Sequence, residues 1–248
     1  MLKLTVLPVE CCIFVVLGNF NCFYIFPATN LKIKKMTNNF DLIEPLLDFS
    51  DSDSYYFVQL IQRKKDNQKG DKVNGTNNNS RLIKAYYVKS KEYLDFVKPE
   101  IIALCELFNA RAGINLNRRS WEKTALQHLK LVADNIINKN YDKVYKTYSS
   151  AAGKFSHDNN KKWIVDVDKE DIPFLDTIKL ALASCEPNLG VSKVVIEIPS
   201  KTGVHLITTP FNRMYFPKVL NDLLVPYQLE NTMRLDIQTN NPTNLYCP

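Results

Sequence analysis

The chain has 248 residues, of which 45% are hydrophobic and 23% are charged, so it carries enough apolar material for a packed core and is not disordered as a whole. Its formal net charge of +6 favours contact with polyanions, but it is too small for a histone-like binder. The six cysteines form no CxxC pair and no zinc-type spacing with histidine, which argues against a disulfide framework and a structural zinc site. We therefore expect a reducing compartment.

Residues 1–35 differ in composition from the rest of the chain. They are apolar but are interrupted by Pro8, Glu10 and two asparagines, a pattern that fits neither a membrane span of ~20 apolar residues nor a signal peptide. From Met36 the sequence is typical of a soluble domain. We treat 1–35 as a leader that is either translated upstream sequence or a segment that packs on the core or associates with a membrane. A stable membrane association is not expected.

The first half of the chain predicts strands and helices in alternation. The predicted elements up to residue 140 are a segment over 55–66 that begins as a strand and ends in a basic turn, a polar loop over 67–80, a strand over 81–90, a helix over 91–109, a strand over 110–117 and a helix over 119–140. The first two strands suggest an antiparallel hairpin with a long tip. Pro99 is expected at or near the start of its helix, and Ser120 as the N-cap of the next one.

The second half follows a polar linker over 149–161. The predicted elements are a strand over 163–168, a helix over 172–186, two strands within 193–211 joined across SKTG, a helix over 214–225 and a strand or hairpin over 232–248. Groups of strand, strand, helix and strand predict an α+β fold with a split βαβ arrangement.

A pair of aspartates interrupts the otherwise apolar strand WIVDVD. Asp166 and Asp168 are two positions apart, so both side chains project from the same face of the strand. Two neighbouring carboxylates repel each other, and a divalent cation would compensate for that repulsion. The alternative is an exposed strand end at which both acids face water.

The segment SKTGVH contains groups that suit a phosphate. Ser200 offers a hydroxyl, Lys201 a charge and Gly203 a close approach of the backbone, while His205 follows on the strand. An anion cradle is one interpretation, and a hairpin turn followed by a histidine at the edge of the core is the other.

The order of these motifs resembles the archaeo-eukaryotic primase (primase-polymerase) superfamily. The matching pieces are IVDVD (Asp166, Asp168), SKTGVH and a later RLD (Asp236), in a strand, helix, strand, turn and strand order. The resemblance implies an RRM-like antiparallel sheet, called the palm, over about 160–248. It also implies an N-terminal α/β half over about 50–148, both within one catalytic domain over 36–248.

The resemblance further implies a template-dependent primase-polymerase, a nucleotidyltransferase of DNA replication encoded as a stand-alone viral (phage) or plasmid-type module. Asp166, Asp168 and Asp236 would be the catalytic metal ligands for Mg²⁺ or Mn²⁺. Ser200, Lys201, Gly203 and His205 would bind the nucleoside triphosphate. The expected partners are a single-stranded DNA template and a separate replicative helicase, in the cytoplasm of a microbial or virus-infected cell. The sequence has no GxxxxGK[ST] phosphate loop, so it carries no helicase of its own.

Basic residues near predicted strand ends are candidates for template binding. They are Arg63, Lys64, Arg111, Arg118 and Arg119. A solvated basic face is the alternative for each, although Arg111 lies inside an apolar strand pattern and needs a phosphate or an acid as its partner.

Two further functions use parts of the same pattern. A metal-dependent nuclease would use the aspartates without the SKTGVH cradle. A non-catalytic RRM-like protein that binds single-stranded nucleic acid would use strand aromatics and basic residues, and would not need metal.

Overall fold

The computed structural model describes residues 36–66, 80–154, 158, 161–188, 190–229 and 232–248. The leader and most of the 67–80 loop lie outside this part of the chain. The strands in it are β1 Thr37–Asn38, β2 Ser54–Arg63, β3 Ser80–Val88, β4 Arg111–Ile114, β5 Arg119–Ser120, β6 Trp163–Asp168, β7 Val194–Pro199, β8 Gly203–Thr208, β9 Asp236–Gln238 and β10 Thr243–Cys247. The α-helices are α1 Phe40–Ile43, α2 Lys91–Phe108, α3 Trp121–Ile137, α4 Thr147–Ala152, α5 Leu175–Ser184 and α6 Phe216–Leu224.

The first sheet has the strand order β1-β10-β4-β2-β3, with β5 paired to the start of β2. Every pairing in it is antiparallel. The predicted hairpin is confirmed, since β2 and β3 pair from Tyr56↔Val88 to Arg63↔Ser80. The first half of β2 is buried on both faces, because Val58 and Leu60 lie in one apolar cluster and Tyr55 and Phe57 lie in another.

Helix α2 packs on this sheet through its apolar positions Leu94, Val97, Ile101 and Cys105, which are spaced three and four residues apart. Pro99 lies inside α2, so its expected place at the helix start was wrong. The start is fixed instead by the Ser90 side chain, which accepts a hydrogen bond from a backbone N–H one turn into the helix.

Helix α3 begins where its sequence predicts. The hydroxyl of Ser120 accepts a hydrogen bond from the backbone N–H of Lys123 at 3.2 Å, which confirms Ser120 as the N-cap. The predicted polar linker after residue 149 is in part helical, because α4 extends to Ala152.

The second sheet has the strand order β7-β8-β6-β9, again with every pairing antiparallel. Along the chain its elements run β6-α5-β7-β8-α6-β9. One face, which includes Val165, Val167 and Leu206, packs with α5 and α6 in a buried cluster. The α+β class predicted from the sequence is therefore confirmed, with two antiparallel sheets.

The end of the chain joins the two sheets. The segment 232–248 forms two strands in different sheets, because β9 pairs with β6 whereas β10 pairs with β4 and β1. Ile164, Ile198 and Ile207 of the second sheet share a buried cluster with the first sheet and α2. The second sheet therefore packs α5 and α6 on one face and turns its other face toward the first sheet.

None of the helices in the described residues is long and apolar enough to cross a membrane.

Candidate functional site

Three of the predicted site residues lie in one row across the second sheet. Asp166 on β6 pairs with His205 on β8 and, on its other side, with Asp236 on β9. Directly paired residues of antiparallel strands project from the same face, with Cβ atoms about 4.5–5.5 Å apart. The sheet therefore brings together two carboxylates and an imidazole that lie up to 70 positions apart in the sequence (236 − 166).

The row lies on the face opposite the α5 and α6 helices. Val165 and Val167 alternate with Asp166 and are buried on the helix side, whereas Asp166 is half-buried and Asp168 and Asp236 are exposed. Asp168 lies at the end of β6 on the same face as Asp166. The apolar positions thus determine which way the acids point, which is onto the face turned toward the first sheet.

His205 links the row to the first sheet. Its Nδ1 lies 2.9 Å from the Thr243 hydroxyl on β10, and its Nε2 lies 3.5 Å from Asp166 Oδ1. Burial lowers the pKa of His205, Asp166 opposes that shift, and Arg63 and Arg111 add to it. Burial therefore favours the neutral ring at pH 7, and the Asp166 carboxylate beside Nε2 favours the tautomer that carries its proton on that nitrogen.

The SKTG turn is held by its backbone. The Ser200 N–H donates to the carbonyl of Gly203 at 2.9 Å, and the Ser200 side chain is buried. A Cβ added to Gly203 would lie 2.0 Å from the carbonyl oxygen of Val167. Glycine at this position therefore lets the backbone of the turn approach the backbone of β6 closely. Gly203 pairs with Asp168, which places the turn beside the acidic row.

A carboxylate that the sequence analysis did not single out lies between two of the predicted basic residues. Asp66 accepts bonds from Arg111, with Arg111 Nε at 2.7 Å from Oδ2, and from Lys201, with Nζ at 3.2 Å from Oδ1. Arg111 Nη2 also pairs with Oδ1 of Asp66. Burial by itself raises the pKa of Asp66, but Arg111 and Lys201 together hold it below its ordinary value. Of the two partners expected for Arg111, a phosphate or an acid, the structure shows an acid, Asp66.

The remaining predicted basic residues differ in their exposure and in their partners. Arg63 lies close enough to His205 to lower its pKa, and Lys64 is exposed. Arg118 instead binds Asp158, with its Nε 2.6 Å from Oδ1, and also reaches Asp48.

Arg119 is fully buried, so its guanidinium is not positioned to contact a nucleic acid. Its Nη1 donates to Asn240 Oδ1 at 2.6 Å, and burial lowers its pKa to about 10. The physical reason is its place on β5, where it pairs with the equally buried Tyr55 of β2.

The acidic row fits a hard divalent cation by chemistry, because carboxylate oxygens are the ligands that Mg²⁺ and Mn²⁺ prefer. The side chains are not gathered around one point, since no three His, Cys, Asp or Glu side chains in the described residues stand close enough together to hold a metal ion. Asp236 instead accepts a bond from Gln238 Nε2 at 2.6 Å. Binding would require the exposed carboxylates of Asp168 and Asp236 to rotate toward Asp166.

Two members of the site were missed from the sequence. Asp66 follows a run of basic residues and reads as a turn residue, and Thr243 lies in a terminal strand with no charged neighbour. The one signal that could have found Asp66 is the need of Arg111 for an acid, and it does not say which acid.

The comparisons with known proteins found no matching family model, no matching curated protein and no matching solved structure.

Proposed function

We propose that this chain is a template-dependent primase-polymerase that transfers nucleotidyl groups from nucleoside triphosphates with the help of a divalent metal ion. The observation that carries the proposal is the row His205–Asp166–Asp236 on one face of a four-stranded sheet. It brings together the motifs whose order first suggested this class.

The topology of the second sheet supports the same proposal. A β-α-β-β-α-β chain order with the strand order β7-β8-β6-β9 is the split βαβ arrangement, which is the topology of an RRM-like palm. The first sheet, with α2, would correspond to the N-terminal half of such a catalytic core. The closing strand β10 belongs to the first sheet, so the palm in this proposal ends at β9 and not at residue 248.

Each residue of the site has a role in the proposal. Asp166, Asp168 and Asp236 would hold Mg²⁺ or Mn²⁺, which when bound lowers the pKa of the attacking hydroxyl and neutralises the triphosphate. His205 would donate from Nε2 to a phosphate oxygen, because burial favours its neutral ring and the neighbouring Asp166 carboxylate favours a proton on Nε2. Lys201 would contribute positive charge to the triphosphate, with Ser200 and Gly203 shaping the turn.

The proposed template contact rests on basic residues, and the proposed setting rests on the resemblance to primase-polymerases. Arg63 and Lys64 lie at the end of β2, where the described part of that strand gives way to a basic turn. They are the residues we propose for contact with single-stranded DNA. The proposed setting is DNA replication in a microbial or virus-infected cell, next to a separate helicase.

A non-catalytic RRM-like binding protein is less well supported. RRM domains stack bases on aromatic side chains of the open sheet face. In β6 and β8, which are both fully described, the corresponding face carries no phenylalanine, tyrosine or tryptophan. Its residues Ile164 and Ile207 are buried in the core shared with the first sheet.

The test is the incorporation of labelled nucleoside triphosphates on single-stranded DNA, with and without a primer, in Mg²⁺ and in Mn²⁺. We expect metal-dependent product from the parent and none from the double variant Asp166→Ala with Asp168→Ala. The matched control is Asp176→Ala with Asp222→Ala, which removes two exposed carboxylates on α5 and α6 and should leave the activity unchanged.

Three results would refute the proposal. The first is metal-independent binding of DNA without any product. The second is metal-dependent shortening of the strand without incorporation, which would indicate the nuclease. The third is full activity in the Asp166 and Asp168 variant.

A further inference from the structure

Asn39 is a buried polar residue that contacts both sheets. It is only 1% exposed, and its side-chain Nδ2 donates to the carbonyl of Pro199 and to the carbonyl of Asn244, each at 2.8 Å. Its backbone N–H donates to the carbonyl of Leu245 at 2.9 Å. One residue therefore binds the end of β7 in the second sheet and two consecutive residues of β10 in the first sheet.

The place of Asn39 in the chain is one at which asparagine usually has another use. Asn39 directly precedes the short helix α1, and asparagine at this position commonly accepts a hydrogen bond from a backbone N–H in the first turn of the helix. Its side chain makes no such bond here. Because the amide is turned toward Pro199 and Asn244, it serves the contact between the two sheets and not the start of the helix.

The first contact of Asn39 is made directly before the SKTG turn. Pro199 precedes Ser200, whose backbone N–H donates to the carbonyl of Gly203 at 2.9 Å and closes the turn. Proline has no backbone N–H, so its carbonyl is the one backbone group through which a hydrogen bond can hold it. Asn39 provides such a bond and thereby anchors the chain where the turn begins.

The second contact of Asn39 is made beside the residue that contacts the imidazole. Asn244 directly follows Thr243, and the Thr243 hydroxyl lies 2.9 Å from His205 Nδ1. The amide of Asn39 therefore binds both the strand that carries this threonine and the strand that leads into the SKTG turn. Because a hydrogen bond fixes the distance between its donor and its acceptor, this amide determines how far the turn lies from β10.

We propose that Asn39 is a positioning residue for the candidate site, which holds the SKTG turn against β10 so that the turn and His205 bind one ligand together. The inference rests on the proposed function, in which that ligand is the triphosphate. Asn39 is buried and does not touch the substrate itself. Its effect is on substrate binding and not on the metal ligands, because the pairing of β6 with β8 and β9 holds the acidic row.

Asn117 offers a matched control. It is 4% exposed, and its side chain also makes two hydrogen bonds to the backbone: Nδ2 donates to the carbonyl of Lys162 at 2.8 Å, and Oδ1 accepts from the N–H of Lys162 at 2.7 Å. Lys162 directly precedes β6, whereas the turn residue Gly203 pairs with Asp168 at the other end of that strand. Asn117→Ala therefore removes a comparable buried amide at a place away from the SKTG turn.

The first measurement is amide hydrogen exchange by NMR on the full-length parent, Asn39→Ala and Asn117→Ala. The amide of Val165, on the central strand β6, is the reference for unfolding of the whole sheet. Relative to that reference, the Ser200 amide should exchange about tenfold faster in Asn39→Ala than in the parent, because the turn that it closes has lost its anchor. In Asn117→Ala the relative exchange rate of Ser200 should equal that of the parent.

The second measurement is the steady-state incorporation of labelled nucleoside triphosphates on single-stranded DNA. Asn39→Ala should raise the KM for the nucleoside triphosphate by about tenfold and leave kcat close to that of the parent, whereas Asn117→Ala should leave KM unchanged. Circular dichroism shows whether each variant is folded. If Asn39→Ala does not fold, Asn39→Ser takes its place. Serine keeps one hydrogen-bond donor, and both measurements should shift in the same direction by less.

Each measurement can overturn the inference. An unchanged exchange rate of Ser200 in the Asn39 variant would show that the turn does not depend on Asn39. An equal rise of KM in Asn39→Ala and Asn117→Ala would show that Asn39 acts only through general stability. A lower kcat at unchanged KM would place its effect on the acidic row. Absence of product from the parent would refute the proposed function instead, and the exchange of Ser200, which requires no substrate, would still decide whether Asn39 positions the turn.

Discussion

Replacing Asp66 by alanine removes the carboxylate between Arg111 and Lys201. The Asp66 and Arg111 side chains are only 4% and 11% exposed, and the Lys201 side chain is 22% exposed. Removing one partner of a buried ion pair leaves the other charge uncompensated, which costs about 3–5 kcal/mol. Two cations would be left without that acid here, so we expect Asp66→Ala to lower the free energy of unfolding by an amount in this range.

The matched control is Asp41→Ala. Asp41 also pairs with a lysine, Lys98, with Nζ 3.5 Å from Oδ1, but its side chain is 95% exposed. Exposed pairs contribute about 0–1 kcal/mol, so this variant should unfold close to the parent. Both free energies are measured by urea denaturation at pH 7.

The pH dependence gives a second measurement on the same pair. Because the pKa of Asp66 is held below its ordinary value, its contribution is present above the unfolded-state pKa of about 3.9 and is lost as the pH falls below it. The difference in the free energy of unfolding between the parent and Asp66→Ala should therefore become smaller below about pH 4. A loss no larger than that of Asp41→Ala at pH 7 would refute the assignment of Asp66 as the buried partner of Arg111.

Two other predictions concern the second sheet. Gly203→Ala should destabilise the protein by about 1–3 kcal/mol or more, because its Cβ would clash with the Val167 carbonyl; Gly153→Ala, whose Cβ would meet only ordinary contacts at 3.7 Å, should be close to neutral in the same denaturation series. His205 should titrate below about pH 6.5 by NMR, because burial lowers its pKa. Because the folded pKa is lowered, the stability linked to His205 is present above pH 6.5 and is lost as the pH falls. A His205 pKa above 6.5 would contradict its burial as a neutral ring.

The acidic row could be predicted in part because strand alternation is a local property. Val165 and Val167 alternate with Asp166 and Asp168, so the sequence alone places both acids on one face. The partners of Asp166 across the sheet depend on register, which is determined by contacts distant in sequence. The motif order suggested His205 and Asp236, but only the strand pairing places them on either side of Asp166.

Contacts between residues far apart in the sequence could not be predicted from it. Asp66 reaches Arg111 across 45 positions and Lys201 across 135. No periodicity connects such residues, because Arg111 meets Asp66 through the pairing of β2 with β4, and Lys201 meets it where the second sheet packs on the first. The same limit explains Arg118 and Arg119, which look alike in the sequence although Arg118 binds Asp158 and Arg119 is fully buried where β5 pairs with β2.

The path of the last strand explains why His205 is buried and neutral. If β9 and β10 had formed the simple hairpin that the sequence allows, Thr243 would lie in the second sheet, next to β9. Because β10 pairs instead with β4, the Thr243 hydroxyl reaches His205 from the first sheet. The pairing of β10 therefore couples the position of the imidazole to the packing of the two sheets. A substitution that weakens the pairing of β10 should therefore raise the pKa of His205. The acidic row should keep its arrangement, because β6 pairs with β8 and β9 and not with β10.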